Sequence, residues 1–205
     1  MLKDLGLQAF INQLESSEPV PGGGSVAALS SALSSALAAM VANLTVGKKN
    51  YEDVSDEMSA IASKMSVHKQ AFVDLIDKDA NSFDSVMKAF KLPKDTDEEK
   101  SHRNTLIQDG MKYAASVPLE VAEKSADLFD DLAILVKSGN KNAQTDALVA
   151  AMMARTAILS ALYNVKINLG SIKDEAYVAQ MKEKVAKLEK LAVDREKEIL
   201  SLSDL

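Results

Sequence analysis

Apolar residues recur at spacings of three and four along almost the whole chain, the period of a helix face, and the pattern changes character from segment to segment. Leu2, Leu5, Ala9 and Leu14 predict a short amphipathic helix. The run from Ser16 to Ser25, SSEPVPGGGS, breaks it, because two prolines and three consecutive glycines disfavour a helix interior. A helix then runs to about Thr45 with small residues on its faces: Ala27, Ser31, Ser35 and Ala38, and beside them Ala28, Ala32 and Ala36. Small side chains let another backbone approach closely, which predicts a central place in a bundle. Gly47 fits the position beyond that helix, where a positive φ is often needed. From about Asp53 to Phe90 there is neither Pro nor Gly, and Met58, Ile61, Met65, Phe72, Leu75, Phe83 and Phe90 keep the helical spacing. Such a helix would run about 55 Å, against a radius of gyration of about 17 Å for a compact chain of this size. That mismatch predicts a second copy of the chain to cover the excess length.

Leu92 to Lys100 is the clearest turn: Pro93 stops one helix, and Thr96 with Glu99 three residues on forms a capping-box signature for the next. That helix is expected to reach about Lys137, kinked or split at Pro118. Ser138-Gly139-Asn140 caps it, and a helix of recurring alanines from Ala147 to Ala161 follows, extending to about Asn164 and closed by Gly170. From Asp174 onward Val178, Met181, Val185, Leu188, Ala192, Arg195 and Ile199 alternate steps of three and four, predicting an interhelical seam with Arg195 its odd member.

Composition agrees. Trp is absent and aromatics are 4%, while Ala and Leu, strong helix formers, supply much of the apolar mass. The expected fold is all-α: one domain, residues 1–205, an elongated bundle of long helices that dimerises by helix packing. A net charge of -6 argues against a nucleic-acid partner. Val26 to Val46 is uncharged over about the length of a membrane span, but Ser30, Ser31, Ser34, Ser35, Asn43 and Thr45 dilute it, so a buried helix and no membrane partner are expected. The N-terminus has no signal-peptide core, and a cytoplasmic location is expected. With no Cys there is neither a disulfide framework nor a thiolate nucleophile, and His68 and His102 lack a neighbouring ligand at metal-binding spacing, so no metal site is assigned.

Four sets of residues could carry chemistry. Gly22, Gly23, Gly24 and Ser25 open a helix: they are either a turn with Ser25 as N-cap or a place where an anion meets free backbone N–H groups. Lys48 and Lys49 follow a helix C-terminus, where cations complement the dipole and could also meet an anionic ligand. Asp79 falls in register with Phe72, Leu75 and Phe83, and Asp146 opens the alanine helix, where it could equally be an N-cap. A carboxylate on an apolar face must be paired, protonated or functional. Asn140, Asn164 and Asn168 flank helix ends as caps or as site residues.

Taken together, PVPGGGSVAA followed by LTVGKKNY, the central DANSFDSVMKAFKLPKDTDEEKSHR, and then VPLEVAE, SGNKNAQTDA and NVKINLGSIKD resemble, in order, the landmarks of the formiminotransferase-cyclodeaminase C-terminal family. The resemblance runs from about Phe10 to Asp174, and its most specific part is the PGGGS-to-GKK block. One departure is Thr145, where that family commonly has Ser before the aspartate; the hydroxyl is kept.

The resemblance implies an all-α homodimer acting on a tetrahydrofolate derivative. It implies either closure of 5-formiminotetrahydrofolate to 5,10-methenyltetrahydrofolate with loss of ammonia, or hydrolysis of the methenyl compound. Acid–base catalysis suffices for both, with no cofactor beyond the folate substrate. The expected proton carriers are Asp79 and Asp146. Asn140, Asn164 and Asn168 would orient the substrate, and the PGGGS helix start with Lys48 or Lys49 would meet its carboxylates. A non-catalytic helical folate-binding or scaffold protein is the remaining alternative.

Overall fold

A computed structural model describes residues 1–203 and 205. Among the described residues seven α-helices make up the fold: α1 Leu7–Glu15, α2 Gly23–Asn43, α3 Ser55–Phe90, α4 Asp97–Ala126, α5 Phe129–Ser138, α6 Gln144–Leu169 and α7 Glu175–Leu200. No strand occurs among the described residues.

The small-residue helix α2 is the centre, as its sequence predicts. It packs chiefly on α3 and α6, and Ala27, Ala28 and Ala38 are fully buried, as are Ala147, Ala150, Ala154 and Ala161 of α6. Two of its inward serines have partners on other helices: the Ser34 hydroxyl donates to the Ala150 carbonyl at 2.7 Å, and Ser31 and Ser125 share a hydrogen bond of 2.6 Å. These bonds offset the cost of burying Ser31 and Ser34; the equally buried Ser35 hydroxyl has no partner among the described residues. By length and hydropathy α2 and Lys141–Leu169 could cross a membrane, yet 61% and 44% of their most apolar windows lie inside the bundle. Helix packing accounts for that share of their apolar character.

Several boundaries differ from the sequence expectation. Gly6 caps α1, so Leu2–Asp4 forms a separate 3-10 turn instead of joining it. That turn is tied to α3 by the Leu2 N–H donating to Asp77 at 2.6 Å and by a Lys3–Asp74 ion pair at 2.7 Å. Helix α2 begins inside the glycine run, with Gly22 as N-cap and Ser25 in the first turn, so Ser25 is not the cap. Its end at Asn43 is followed by Gly47 at φ 66°, as expected. Nor does Asp146 cap α6: Ala143 holds that position and Asp146 sits half-buried in the first turn.

Helix α3 has the full predicted length, 36 residues. Its far end, however, lies against α4 of the same chain, where Val86, Ala89 and Ile107 are buried and Gly110 approaches Val86. The length of α3 therefore does not itself call for a second subunit. The seam of α7 is likewise satisfied within the chain, on α6, α4 and α5, and Arg195 pairs with Asp130 and Glu198.

Pro118 neither splits nor ends α4, which continues to Ala126; the break comes at Asp127–Leu128. Proline lacks the N–H that would bond the carbonyl four residues back, that of Ala114. The Asn168 side chain fills the gap, its Nδ2 donating to the Ala114 carbonyl at 2.8 Å. A side chain of α6 thus repairs α4.

Candidate active site

Helices α2 and α6 run antiparallel: Gly23 lies beside Asn164, and at the other end Asn140, just before α6, bonds Thr45, just after α2. The polar candidates sort onto these two ends.

At the glycine end a cleft of about 280 Å3 is lined by Gly22, Gly23, Gly24, Asp79, Asn164 and Asn168, with Phe83 and Ile167 at its side. The first turn of α2 stands over Asp79. Gly24 approaches it so closely that a Cβ there would lie 2.1 Å from Asp79 Oδ1. The Ser25 hydroxyl lies 3.1 Å from both Asp79 Oδ2 and the Ile76 carbonyl. This is what the glycine run does here: it lets a helix N-terminus, with its unbonded N–H groups, close over a carboxylate. Asn164 Nδ2 donates to the Ser160 carbonyl at 2.9 Å and Asn168 Nδ2 to that of Ala114. Both amides are oriented by backbone acceptors, which leaves each Oδ1 as an acceptor beside the cleft.

Burial raises the Asp79 pKa above the ordinary carboxylate value, outweighing the Ser25 hydroxyl and backbone N–H, which pull it down. Over the pH range between the ordinary and the raised value the folded chain therefore holds more proton than the unfolded one. The stability this group contributes is complete below the ordinary carboxylate pKa and is lost as pH rises through the raised one. Asp79→Asn should flatten that segment of the stability–pH curve, measured as the denaturant midpoint of both proteins across the acidic range. Parallel curves would refute a raised folded-state pKa.

At the other end, which we call the lysine end, Lys48 Nζ donates to Asn140 Oδ1 at 2.8 Å and lies 5.9 Å from the Tyr51 ring centroid. Asn140 is 6% exposed and fully engaged: its N–H donates to Thr45, its Nδ2 to the Leu44 carbonyl, and its Oδ1 also accepts from the Asn142 N–H. It joins the end of α2 to the start of α6 and is remote from the cleft. Lys49 is exposed, and Asp146 is half-buried nearby on the first turn of α6. Eighteen residues of α6 separate Asp146 from Asn164, about 27 Å by the helical rise. Within one chain the two candidate acids therefore stand at opposite ends.

Sequence reasoning missed Pro19, Val20, Ser82, Phe83, Ala114 and Ile167 as cleft residues. Ile167 is 75% exposed at the end of a helix whose other large apolar residues are in part exposed too, and nothing in the sequence pattern sets it apart.

The sequence profile of the formiminotransferase-cyclodeaminase family matches residues 6–187. The chain belongs to that family. A formimidoyltransferase-cyclodeaminase of Sus scrofa is 36% identical over 182 residues, which are 89% of this chain and 34% of that protein. The chain thus spans about a third of that relative's length. A methenyltetrahydrofolate cyclohydrolase of Methylorubrum extorquens is 38% identical over 174 residues, 85% of this chain and 84% of that protein. The crystal structure of a formiminotetrahydrofolate cyclodeaminase from Thermotoga maritima matches with a TM-score of 0.87 at 35% identity, covering 98% of this chain and 97% of that one. The family resemblance carried by PGGGS, GKK and the Asp79 segment is thereby established, and with it the all-helical fold.

Proposed function

We infer that this chain is a formiminotetrahydrofolate cyclodeaminase, closing 5-formiminotetrahydrofolate to 5,10-methenyltetrahydrofolate with release of ammonia. The observation that carries the reading is Asp79, a half-buried carboxylate of raised pKa beneath a glycine-rich helix start, in a cleft flanked by two amide acceptors. The nearly full-length likeness to the Thermotoga maritima enzyme favours this substrate.

With the substrate amidine protonated as an amidinium, the reaction needs one proton moved from N10 to the leaving nitrogen, giving the methenyl cation and NH3. N10 attacks the amidine carbon on N5, and the ionised Asp79 takes the N10 proton. The same group, now neutral, returns that proton to the departing amine as its bond to carbon breaks. A carboxyl whose two protonation states are brought closer in free energy by burial serves both steps. Asp146 need not reach the same atoms, since one carboxyl moves the single proton required. Asn164 and Asn168 offer acceptors to the pteridine N–H groups. No cofactor beyond the folate is invoked, and the site of action is the cytoplasm.

A second reading, methenyltetrahydrofolate cyclohydrolase, is favoured by the Methylorubrum extorquens relative, most of whose length this chain covers. Asp79 would then activate a water for attack on the methenyl carbon. Absorbance separates the two. Appearance of the methenyl band from 5-formiminotetrahydrofolate is the expected result. Catalysed loss of that band from the methenyl compound alone would replace the first reading by the second, and no change in either would overturn both.

The enzyme acts as a homodimer in this reading. Support comes from the outer faces of α2 and α6, where Leu33, Met40, Val149, Met152 and Tyr163 are each between 38% and 69% exposed. The nearby charges Arg155 and Lys166 turn to α7 instead, pairing with Glu196 and Glu189. Exposed large apolar side chains gathered on two packed helices are what an interaction site presents.

A further inference from the structure

The two ends of the α2–α6 pair are chemically incomplete in opposite ways. The cleft at the glycine end holds the carboxylate of Asp79, and no Lys, Arg or His lines it. A folate carries carboxylates on its glutamyl tail, and that cleft supplies nothing cationic to meet them. The lysine end holds the Lys48 ammonium, oriented by Asn140 and Tyr51 and in no ion pair among the described residues. The length of α2 separates these ends by about 30 Å, so one chain does not bring them to one substrate. Between them lies the uncharged outer face of α2 and α6.

Resting on the homodimer reading above, we propose that a second copy of this chain packs on that face about a two-fold axis perpendicular to α2 and α6, so that Lys48 of the partner subunit completes the cleft of Asp79, Asn164 and Asn168. An isologous pair of such faces has two simple choices of axis. An axis parallel to the helices sets glycine end on glycine end and lysine end on lysine end, opposing like charges. The perpendicular axis lays α2 antiparallel on its counterpart, with Leu33 near the centre, and sets each lysine end on the other protomer's glycine end. It pairs a cation lacking an acid with a carboxylate-bearing cleft lacking a cation. Only this choice answers both deficiencies at once. Each dimer then has two active sites, each built from both chains, and the partner's lysine takes the carboxylate-bearing end of the substrate.

Subunit complementation tests this. Asp79→Asn and Lys48→Met are made separately, then co-expressed with different tags so that the mixed dimer is isolated. Each homodimer should lose at least about 90% of kcat/KM while remaining helical and dimeric. In the mixed dimer one site carries both changes and the other neither, so it should recover about half of the wild-type kcat/KM. A mixed dimer as inactive as its parents places both residues in one chain's site and overturns the proposal; so does full activity in Lys48→Met.

A second measurement does not depend on turnover. The chain has no Cys, so single cysteines at exposed Val46, of the lysine end, and Ile167, of the glycine end, react uniquely. A short bis-maleimide should link Val46→Cys to Ile167→Cys across a mixed dimer and link neither variant to itself. Self-linking of either variant indicates the parallel axis, and a monomeric, unlinked chain removes the interface; each result overturns the proposal. A wild-type protein inactive on both folates, yet linked in the mixed pattern, would instead refute only the functional reading.

Discussion

Asp79→Asn should lower turnover by about two to four orders of magnitude, the usual contribution of a positioned acid–base group, with no loss of thermal stability near neutral pH. The two halves of that expectation have one cause. Burial makes the ionised carboxylate unfavourable in the folded chain, so the neutral amide removes an energetic burden along with the proton carrier. Asparagine is nearly isosteric, and its side-chain oxygen can still accept from Ser25, now 3.1 Å from Asp79 Oδ2. A melting temperature equal to or above the parent's, with turnover lost, would establish a group kept for chemistry at some expense to the fold. Full turnover in the variant would remove Asp79 from the mechanism, and a collapse of helicity would make it a structural residue.

Gly24→Ala should be nearly as damaging to activity, through a single methyl group. The added Cβ would meet Asp79 Oδ1 at 2.1 Å, Cγ at 2.5 Å and Oδ2 at 2.6 Å. The overlap can be relieved only by swinging the carboxylate away or by lifting the start of α2, and either separates Asp79 from Ser25. Misplacing a catalytic group by about 1 Å can cost about 100-fold, and that is the expected loss in kcat. Stability should change less. Overpacking costs about 1–3 kcal/mol, while alanine's helix propensity offsets up to about 1 kcal/mol of it. Gly23→Ala is the control, since its Cβ would meet the Asn164 amide nitrogen at 3.1 Å, which yields by a few tenths of an ångström. It should keep most of its activity. Steady-state kinetics and thermal unfolding of both variants decide the matter, and equal kinetics for the two would refute a specific role for the Gly24–Asp79 approach.

Much of the fold was legible because its punctuation is local. Gly47, Pro93 with Thr96 and Glu99, Gly139 and Gly170 act through backbone conformation or capping within a few residues, and each marks a boundary near where the structure has it. Asp79 could be singled out because helical register alone showed a carboxylate among apolar residues. What failed depended on long-range pairing. The sequence shows which face a residue occupies and is silent about which helix ends meet, so it does not reveal that Asp79 and Asp146 stand at opposite ends of one chain. The length of α3 suggested a second chain because nothing local reveals that α4 folds back along it. The glycine run reads as a break, whereas Gly23 and Gly24 are helical, and it is the nearness of Asp79 to Gly24 that leaves no room there for a side chain.

The proline in α4 shows how such dependence shapes what the chain can become. Asn168 has its place beside the cleft because Pro118 leaves the Ala114 carbonyl without its usual backbone donor. A residue with an N–H at position 118 would supply the missing bond and make α4 a better helix. It would also compete for the carbonyl that orients the asparagine. Selection for a more robust scaffold and selection for a well-ordered substrate pocket therefore pull position 118 in opposite directions. A fault in one helix has become the fixture on which another helix's working side chain hangs.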